Sequence, residues 1–108
     1  MLPRITIITI CYNAASTISR TLRSVQVQTY PHLEYLVIDG ASRDTTLELV
    51  EELAPRAQVY SEPDRGIYDA MNKGLARATG DYVWYVNAGD ALAKATTVED
   101  LVRATCSG

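Results

Sequence analysis

The sequence predicts an open, mostly parallel α/β sheet of the Rossmann-like kind, with helices on both faces and strands and helices in the order β-α-β-α-β-α-β-α. Three observations carry this. Four short apolar runs, rich in Ile, Val and Tyr, read as strands. Between them, apolar residues recur every three or four positions, the helical spacing. The strands do not alternate cleanly with polar residues, as suits burial on both faces. At 108 residues the chain is read as one domain or part of one.

The first strand is Ile5 to Cys11, β-branched almost throughout. Asn13 to Ser16 is a small, polar turn into a helix, where Asn13 is read as a cap and Ile18, Leu22 and Val25 form the buried stripe; Tyr30-Pro31 ends it. Tyr35 to Asp39 is the second strand, closed by Gly40. Ser42 is placed to cap the next helix, and Asp44 suits its positive first turn. Leu47, Val50 and Leu53 or Ala54 form that helix's buried stripe, and Pro55 stops it. Gln58 to Ser61 is a short third strand, and Glu62 to Gly66 a loop. Ile67, Met71, Leu75 and Ala78 then share one helical face, Tyr68 joins them as a core residue, and Gly80 supplies the stop. Asp81 to Val86 is the fourth strand, with Tyr82, Trp84 and Tyr85 as packing residues and Trp84 and Tyr85 on opposite faces. Thr96 and Glu99 have capping-box spacing before a last short helix at Leu101 and Val102.

Composition narrows the function. Hydrophobic residues make up 47% of the chain, enough for a core, and the net charge of −3 gives no electrostatic case for nucleic acid. Cys11 and Cys106 are read as free thiols: they are far apart and lack metal-type spacing. The apolar run near the N-terminus is shorter than a signal-peptide core, and no stretch is long enough to span a bilayer, so a cytoplasmic protein is expected.

Ligands of such sheets bind outside the carboxyl ends of the strands. Those ends deliver Tyr12 and Asn13, then Asp39, Gly40 and Ser42, then Glu62, Asp64 and Arg65, then Asn87 and Asp90. The opposite edge receives connectors such as Tyr30-Pro31-His32 and Ala54-Pro55-Arg56. The first turn, CYNAAS, contains no glycine, so the GxGxxG turn is absent, as is GxxxxGK[ST]. Asp39 can accept from a ribose hydroxyl or a base N–H, and a carboxylate at the tip of the fourth strand can hold a divalent ion. Mg²⁺ takes one or two carboxylates plus substrate phosphates, so a nucleoside diphosphate would suit the rim. Two other classes fit the same residues. One is a nucleotide- or sugar-binding module without catalysis. The other is a different α/β nucleotide enzyme, such as a nucleotidyltransferase, which would favour a glycine-rich, basic first turn that CYNAAS does not provide.

Three segments, ITIITICYN, YLVIDGASRDTT and EPDRGIYDAMNKGLARATGDYVWYVNAGD, in this order and spacing, resemble the nucleotide-binding half of family 2 glycosyltransferases, with the nearest likeness to bacterial enzymes of the colanic-acid type. The resemblance covers about the whole chain. It implies a GT-A fold and transfer of a sugar, with inversion, from a nucleoside-diphosphate sugar of the UDP or GDP type to a glycan or lipid-linked acceptor. It places Tyr12 and Asp39 at the nucleoside, with Asp64, Asp69 and Lys73 flanking the same pocket. The family's usual diphosphate-side arginine corresponds to Met71, and Lys73 or Arg65 are the nearby cations. The Asp-x-Asp metal motif corresponds to Asn87 and Gly89 followed by Asp90, so Asp90 and Asn87 are the expected ligands of Mg²⁺ or Mn²⁺, and Gly89 is expected to leave room for phosphate or metal-bound water. The family's general base follows this motif and is expected beyond Gly108, so none is assigned and residues 1–108 are expected to form the donor-binding part only. Self-association through an exposed sheet edge, and a peripheral place at the inner membrane face, complete the expectations.

Overall fold

The run of β-branched residues at the start of the chain forms the centre of the molecule. A computed structural model describes residues 2–106, without the side chain of Cys106, so the expected free thiol there lies outside the described residues. Strand β1 (Ile5–Cys11) pairs in parallel with β2 (Leu33–Asp39) on one side and with β4 (Tyr82–Tyr85) on the other, and β2 pairs in parallel with β3 (Gln58–Ser61). The order across the sheet is β3-β2-β1-β4. Cys11 lies opposite Asp39, and Asp39 opposite Ser61, so three strand ends finish level at one edge.

Helices α1 (Ile18–Gln26), α2 (Thr46–Leu53) and α4 (Thr97–Cys106) contribute Ile18, Leu22, Val25, Val50, Val98 and Val102 to one core, against Ile5, Ile7 and Val37. Helix α3 (Ile67–Arg77) covers the other face, where Ala70 meets Ile8, Leu36 and Ile38. Trp84 packs into the first core and Tyr85 against the second, the opposite placement that strand alternation predicts. Cys11 is buried and free.

Several local expectations are corrected. Helix α1 ends at Gln26, well before Tyr30-Pro31, because the side chain of Gln28 turns back to the Ser24 carbonyl at 2.9 Å and the Lys94 carbonyl at 2.7 Å. Strand β2 starts two residues early, at Leu33, and β4 is shorter than expected, although Val86 N–H still reaches the Ile8 carbonyl at 2.9 Å. The seat of α3 is not Ile67, Met71 and Leu75. Ile67 and Leu75 are 52% and 53% exposed and Tyr68 is 79% exposed, while Ala70 and Gly74 are buried. A Cβ on Gly74 would lie 2.8 Å from the Ile8 side chain, so the helix backbone rides directly on the sheet and large side chains have no room beneath it. Gly80 does not stop α3. It lies against β1, where a Cβ would meet Thr6 Oγ1 at 2.5 Å and Thr6 N at 2.7 Å. The capping box at Thr96 is replaced by Thr97 Oγ1 accepting from Lys94 N–H, while Glu99 pairs with Thr29 and Arg103.

Candidate functional site

The strand order places β2 and β3 on one side of β1 and β4 on the other, so the chain reverses its direction of winding between β1 and β4. Crevices at such reversals, outside the strands' carboxyl ends, are where open α/β sheets bind ligands. A cleft of about 610 Å³ lies there. Its walls come from the end of β1 and the turn after it (Ile10 to Ala14), from the loop and start of α3 (Asp64, Gly66, Ile67, Ala70) and from Ala88 beyond β4. A smaller hollow of about 240 Å³ at the opposite edge is lined by Tyr30, Leu33, Tyr35 and Arg56.

Tyr12 and Asp64 line the cleft, and Tyr12 stands 60% exposed directly after β1. Gly40 keeps them close. A Cβ there would meet Asp64 Oδ2 at 2.9 Å and the Tyr12 ring at 3.4 Å. Asp39 is not among the lining residues. It is 1% exposed at the end of β2. Its Oδ1 accepts from Ser42 Oγ at 2.5 Å and Cys11 Sγ at 3.3 Å; its Oδ2 accepts from Ser42 N–H and Ser61 Oγ, both at 2.8 Å. The carboxylate thereby ties together the ends of β1, β2 and β3, and its lone-pair directions are all used. Burial raises the pKa of the Cys11 thiol, and the neighbouring Asp39 charge adds to it, so sulfur remains a protonated donor rather than a nucleophile.

Asp69 and Lys73 lie outside the cleft lining and brace its α3 wall. Asp69 Oδ2 accepts from Arg65 N–H at 2.8 Å. This bond, opposed by desolvation and helped by Lys73, holds its carboxyl below the usual range. Lys73 Nζ donates to the Pro63 carbonyl at 2.8 Å and pairs with Glu62 at 3.3 Å and Asp69 at 3.5 Å. Desolvation disfavours its charge, but these two carboxylates outweigh it and raise its pKa. The two residues clamp residues 62–66, the loop that presents Asp64.

The tip beyond β4 is held by a residue that sequence reasoning did not single out. Thr21 of α1, fully buried, donates to the Asp90 carbonyl at 2.5 Å and accepts from Gly89 N–H at 3.0 Å. Its signal was available: a hydroxyl one position before Leu22 on the apolar stripe of α1. Gly89 has φ +99°, and the nearest atom to a Cβ there would be 4.0 Å away, so backbone conformation rather than space requires glycine. Asp90 is exposed, and Asn87 Oδ1 is buried with no hydrogen-bond partner among the described residues. An acceptor left without a donor in this way suits a cation or a ligand donor. Among the described residues no three His, Cys, Asp or Glu gather as a metal cluster. One carboxylate and one amide oxygen therefore fit Mg²⁺ or Mn²⁺ only as a partial set completed by phosphate and water, as is usual for Mg²⁺. Asn13, expected as a helix cap, instead accepts from Arg43 N–H at 2.8 Å through Oδ1. Ser42 likewise does not cap α2; Asp44 Oδ1 accepts from Thr46 N–H at 3.0 Å in that place.

Together the reversal point, the Tyr12 and Asp64 wall and the segment beyond β4 form a crevice of the kind in which open α/β domains bind ligands. Comparison with known proteins sharpens this. The sequence profile described as Glycosyl transferase family 2 matches residues 6–107, and the chain belongs to that family. An uncharacterized glycosyltransferase of Mycobacterium tuberculosis is 38% identical over 104 residues, which are 94% of this chain and 40% of that protein. A putative teichuronic acid biosynthesis glycosyltransferase, TuaG of Bacillus subtilis, is 37% identical over 92 residues, or 82% of this chain and 36% of that one. Among solved structures, the mannosyltransferase PcManGT of Pyrobaculum calidifontis in complex with GDP-Man and Mn²⁺ superposes with TM-score 0.83 at 31% identity, covering 97% of this chain and 32% of that one. TarS 1-349 of S. aureus in complex with UDP-GlcNAc superposes with TM-score 0.81 at 27% identity, covering 95% and 30%. The fold is thus that of GT-A glycosyltransferases, and the chain spans about two fifths of the length of the relatives it matches. No described helix is long and apolar enough to cross a membrane.

Proposed function

We propose that residues 1–108 are the donor-binding part of an inverting glycosyltransferase that moves a sugar from a nucleoside diphosphate to a hydroxyl of a glycan or lipid-linked acceptor in polysaccharide or cell-envelope synthesis. The observation that carries this reading is the cleft at the β1–β4 reversal, lined by Tyr12 and Asp64 and, beyond β4, by Ala88, which stands between Asn87 and Asp90 in the chain although neither of these lines the cleft. The nucleoside lies against Tyr12 and Asp64, and Asp39, buried behind the lining, ties together the strand ends that carry it. A base N–H reaches Asp39 itself by displacing the Ser61 hydroxyl, whose residue is exposed. Asp69 and Lys73 act on the nucleotide through the loop they brace. Asp90 and Asn87 hold Mg²⁺ or Mn²⁺ together with the diphosphate. When bound, the metal supplies positive charge opposite the leaving diphosphate, the kind of preorganised electrostatics that carries much of enzymatic rate enhancement. The general base that takes the acceptor's proton is supplied by sequence outside residues 1–108. The enzyme works in the cytoplasm, at the inner membrane face when its acceptor is lipid-linked. The edge strands β3 and β4 provide a surface for self-association, which light scattering reads directly: a dimer supports it and a monomer removes it.

Calorimetry of UDP, GDP, dTDP and their sugars, with and without Mn²⁺, tests the reading. Binding of one nucleotide family, tightened by Mn²⁺ and less so in Asp90→Ala, is the expected result. Heat with none of them would overturn it, and equal metal dependence in Asp90→Ala would remove Asp90 from the metal site.

A further inference from the structure

The turn after β1 is where open α/β sheets commonly cradle phosphate, on backbone N–H groups that lead into a helix. Here three successive N–H groups of that turn already have partners, all from the segment that follows β2. Asn13 N–H donates to Ser42 Oγ at 2.8 Å, Ala14 N–H to Thr46 Oγ1 at 2.8 Å, and Ala15 N–H to Asp44 Oδ2 at 3.2 Å. Each hydroxyl is aimed by a carboxylate. Ser42 Oγ donates to Asp39 Oδ1 and Thr46 Oγ1 to Asp44 Oδ1, both at 2.5 Å, so each keeps its lone pairs turned toward the amide. Arg43 N–H returns a bond to Asn13 Oδ1 at 2.8 Å. Both segments adopt backbone that needs such support, since Asn13 and Ala41 have φ of 45° and 64° without being glycine. Thr46 is fully buried, so its hydroxyl is committed to this contact.

We propose that Ser42, Asp44 and Thr46 are positioning residues: they clip the β1–α1 turn to the start of α2, fix Tyr12 against the cleft for the nucleoside, and occupy with protein oxygens the amides that would otherwise receive phosphate. The donor's diphosphate is thereby directed away from this turn, toward the tip that carries Asp90. The nucleotide part rests on the function proposed above; the closure of the amides does not.

The test is Thr46→Val, close in shape but without the hydroxyl, beside Thr46→Ser, which restores it. Amide hydrogen exchange and titrations with UDP, GDP and inorganic pyrophosphate in the presence of Mn²⁺ are measured on each. In Thr46→Val the Ala14 amide exchanges about tenfold faster, the size expected for losing one ordinary hydrogen bond. The bound nucleotide weakens severalfold, pyrophosphate affinity holds, and Thr46→Ser recovers both changes. Nucleotide affinity equal to the parent's, an equal loss for nucleotide and pyrophosphate, or no recovery with Ser would each overturn the proposal. Where Thr46→Val does not fold, Asp44→Ala is read in the same way, with Ala15 as the reporting amide. If the parent chain binds neither UDP nor GDP, the proposed function fails, and the clip is decided on exchange alone: faster exchange recovered by Ser sustains it, unchanged exchange refutes it.

Discussion

Replacing Thr21 by Val leaves the shape of a fully buried side chain nearly intact and deletes a single hydroxyl. That hydroxyl reaches across to the strand-four tip, donating to the Asp90 carbonyl, with the Asn87 carbonyl farther off at 3.5 Å, and accepting from Gly89 N–H. An ordinary hydrogen bond contributes about 0.5–1.5 kcal/mol net, and a buried group left without a partner costs about 1–3 kcal/mol. Gly89 and Asp90 are exposed, so water replaces part of what is lost, and the lower range applies. A destabilisation of about 1–2 kcal/mol follows, or roughly 5–10 °C in Tm for a domain of this size. The larger consequence is local, because the turn that presents Asp90 and Asn87 loses its anchor to α1. Calorimetry with UDP or GDP, with and without Mn²⁺, separates the two effects. The metal-dependent part of nucleotide affinity falls in Thr21→Val, the metal-free part remains, and Thr21→Ser restores the former. A fall in Tm with the full metal-dependent increment retained would refute the link between Thr21 and the tip.

Other predictions address the wall, the scaffold and pH. Tyr12→Ala weakens nucleotide binding by about 1–3 kcal/mol if the base stacks on the ring, with little change in Tm because the side chain is exposed; this is read by titration beside thermal melting. Gly74→Ala forces a Cβ to 2.8 Å from Ile8 and lowers stability by about 1–3 kcal/mol in urea unfolding. Glu34 is buried between Thr6 Oγ1, at 2.8 Å, and Thr79, whose N–H and Oγ1 lie at 2.9 and 2.8 Å, with Arg4 at 3.2 Å. Burial opposes its charge, but these donors prevail and hold its pKa below the ordinary 4.5. Its stabilising contribution is therefore present above about pH 4.5 and lost as pH falls through the depressed value. Glu34→Gln should lower Tm at pH 7, and the deficit should shrink progressively as pH falls below 4.5, whereas a deficit that does not change with pH would contradict this.

The sheet was legible because its strands carry their own signal: Ile5–Cys11 is β-branched up to its final cysteine, Leu33–Asp39 is mainly large and apolar, all but Ile10 and Leu33 are buried, and the register brings the two strand ends level. Helix α3 was misread for a physical reason. Periodicity weights large apolar residues, while this helix seats itself on Ala70 and Gly74, the small ones, and turns Ile67, Tyr68 and Leu75 outward. Side-chain roles were the least legible. Ser42, Asn13 and Asp44 have the composition of helix caps, but only pairing of β1 with β2 reveals that Ser42 and Asp44 accept from the Asn13 and Ala15 amides, and Asn13 from the Arg43 amide, across the two turns. Asp39 was found as an acid at a strand end; that it sits beneath the rim rather than on it depends on Cys11 and Ser61, brought beside it by the sheet register.

The most direct measurement is a map of backbone amide shifts as UDP or GDP is added with Mn²⁺. Changes confined to Ile10–Ala14, Asp64–Ile67 and Asn87–Asp90 would place the nucleotide across the β1–β4 reversal, as predicted. Changes centred on Tyr30, Leu33 and Arg56 at the opposite edge, or none at saturating nucleotide, would contradict the site.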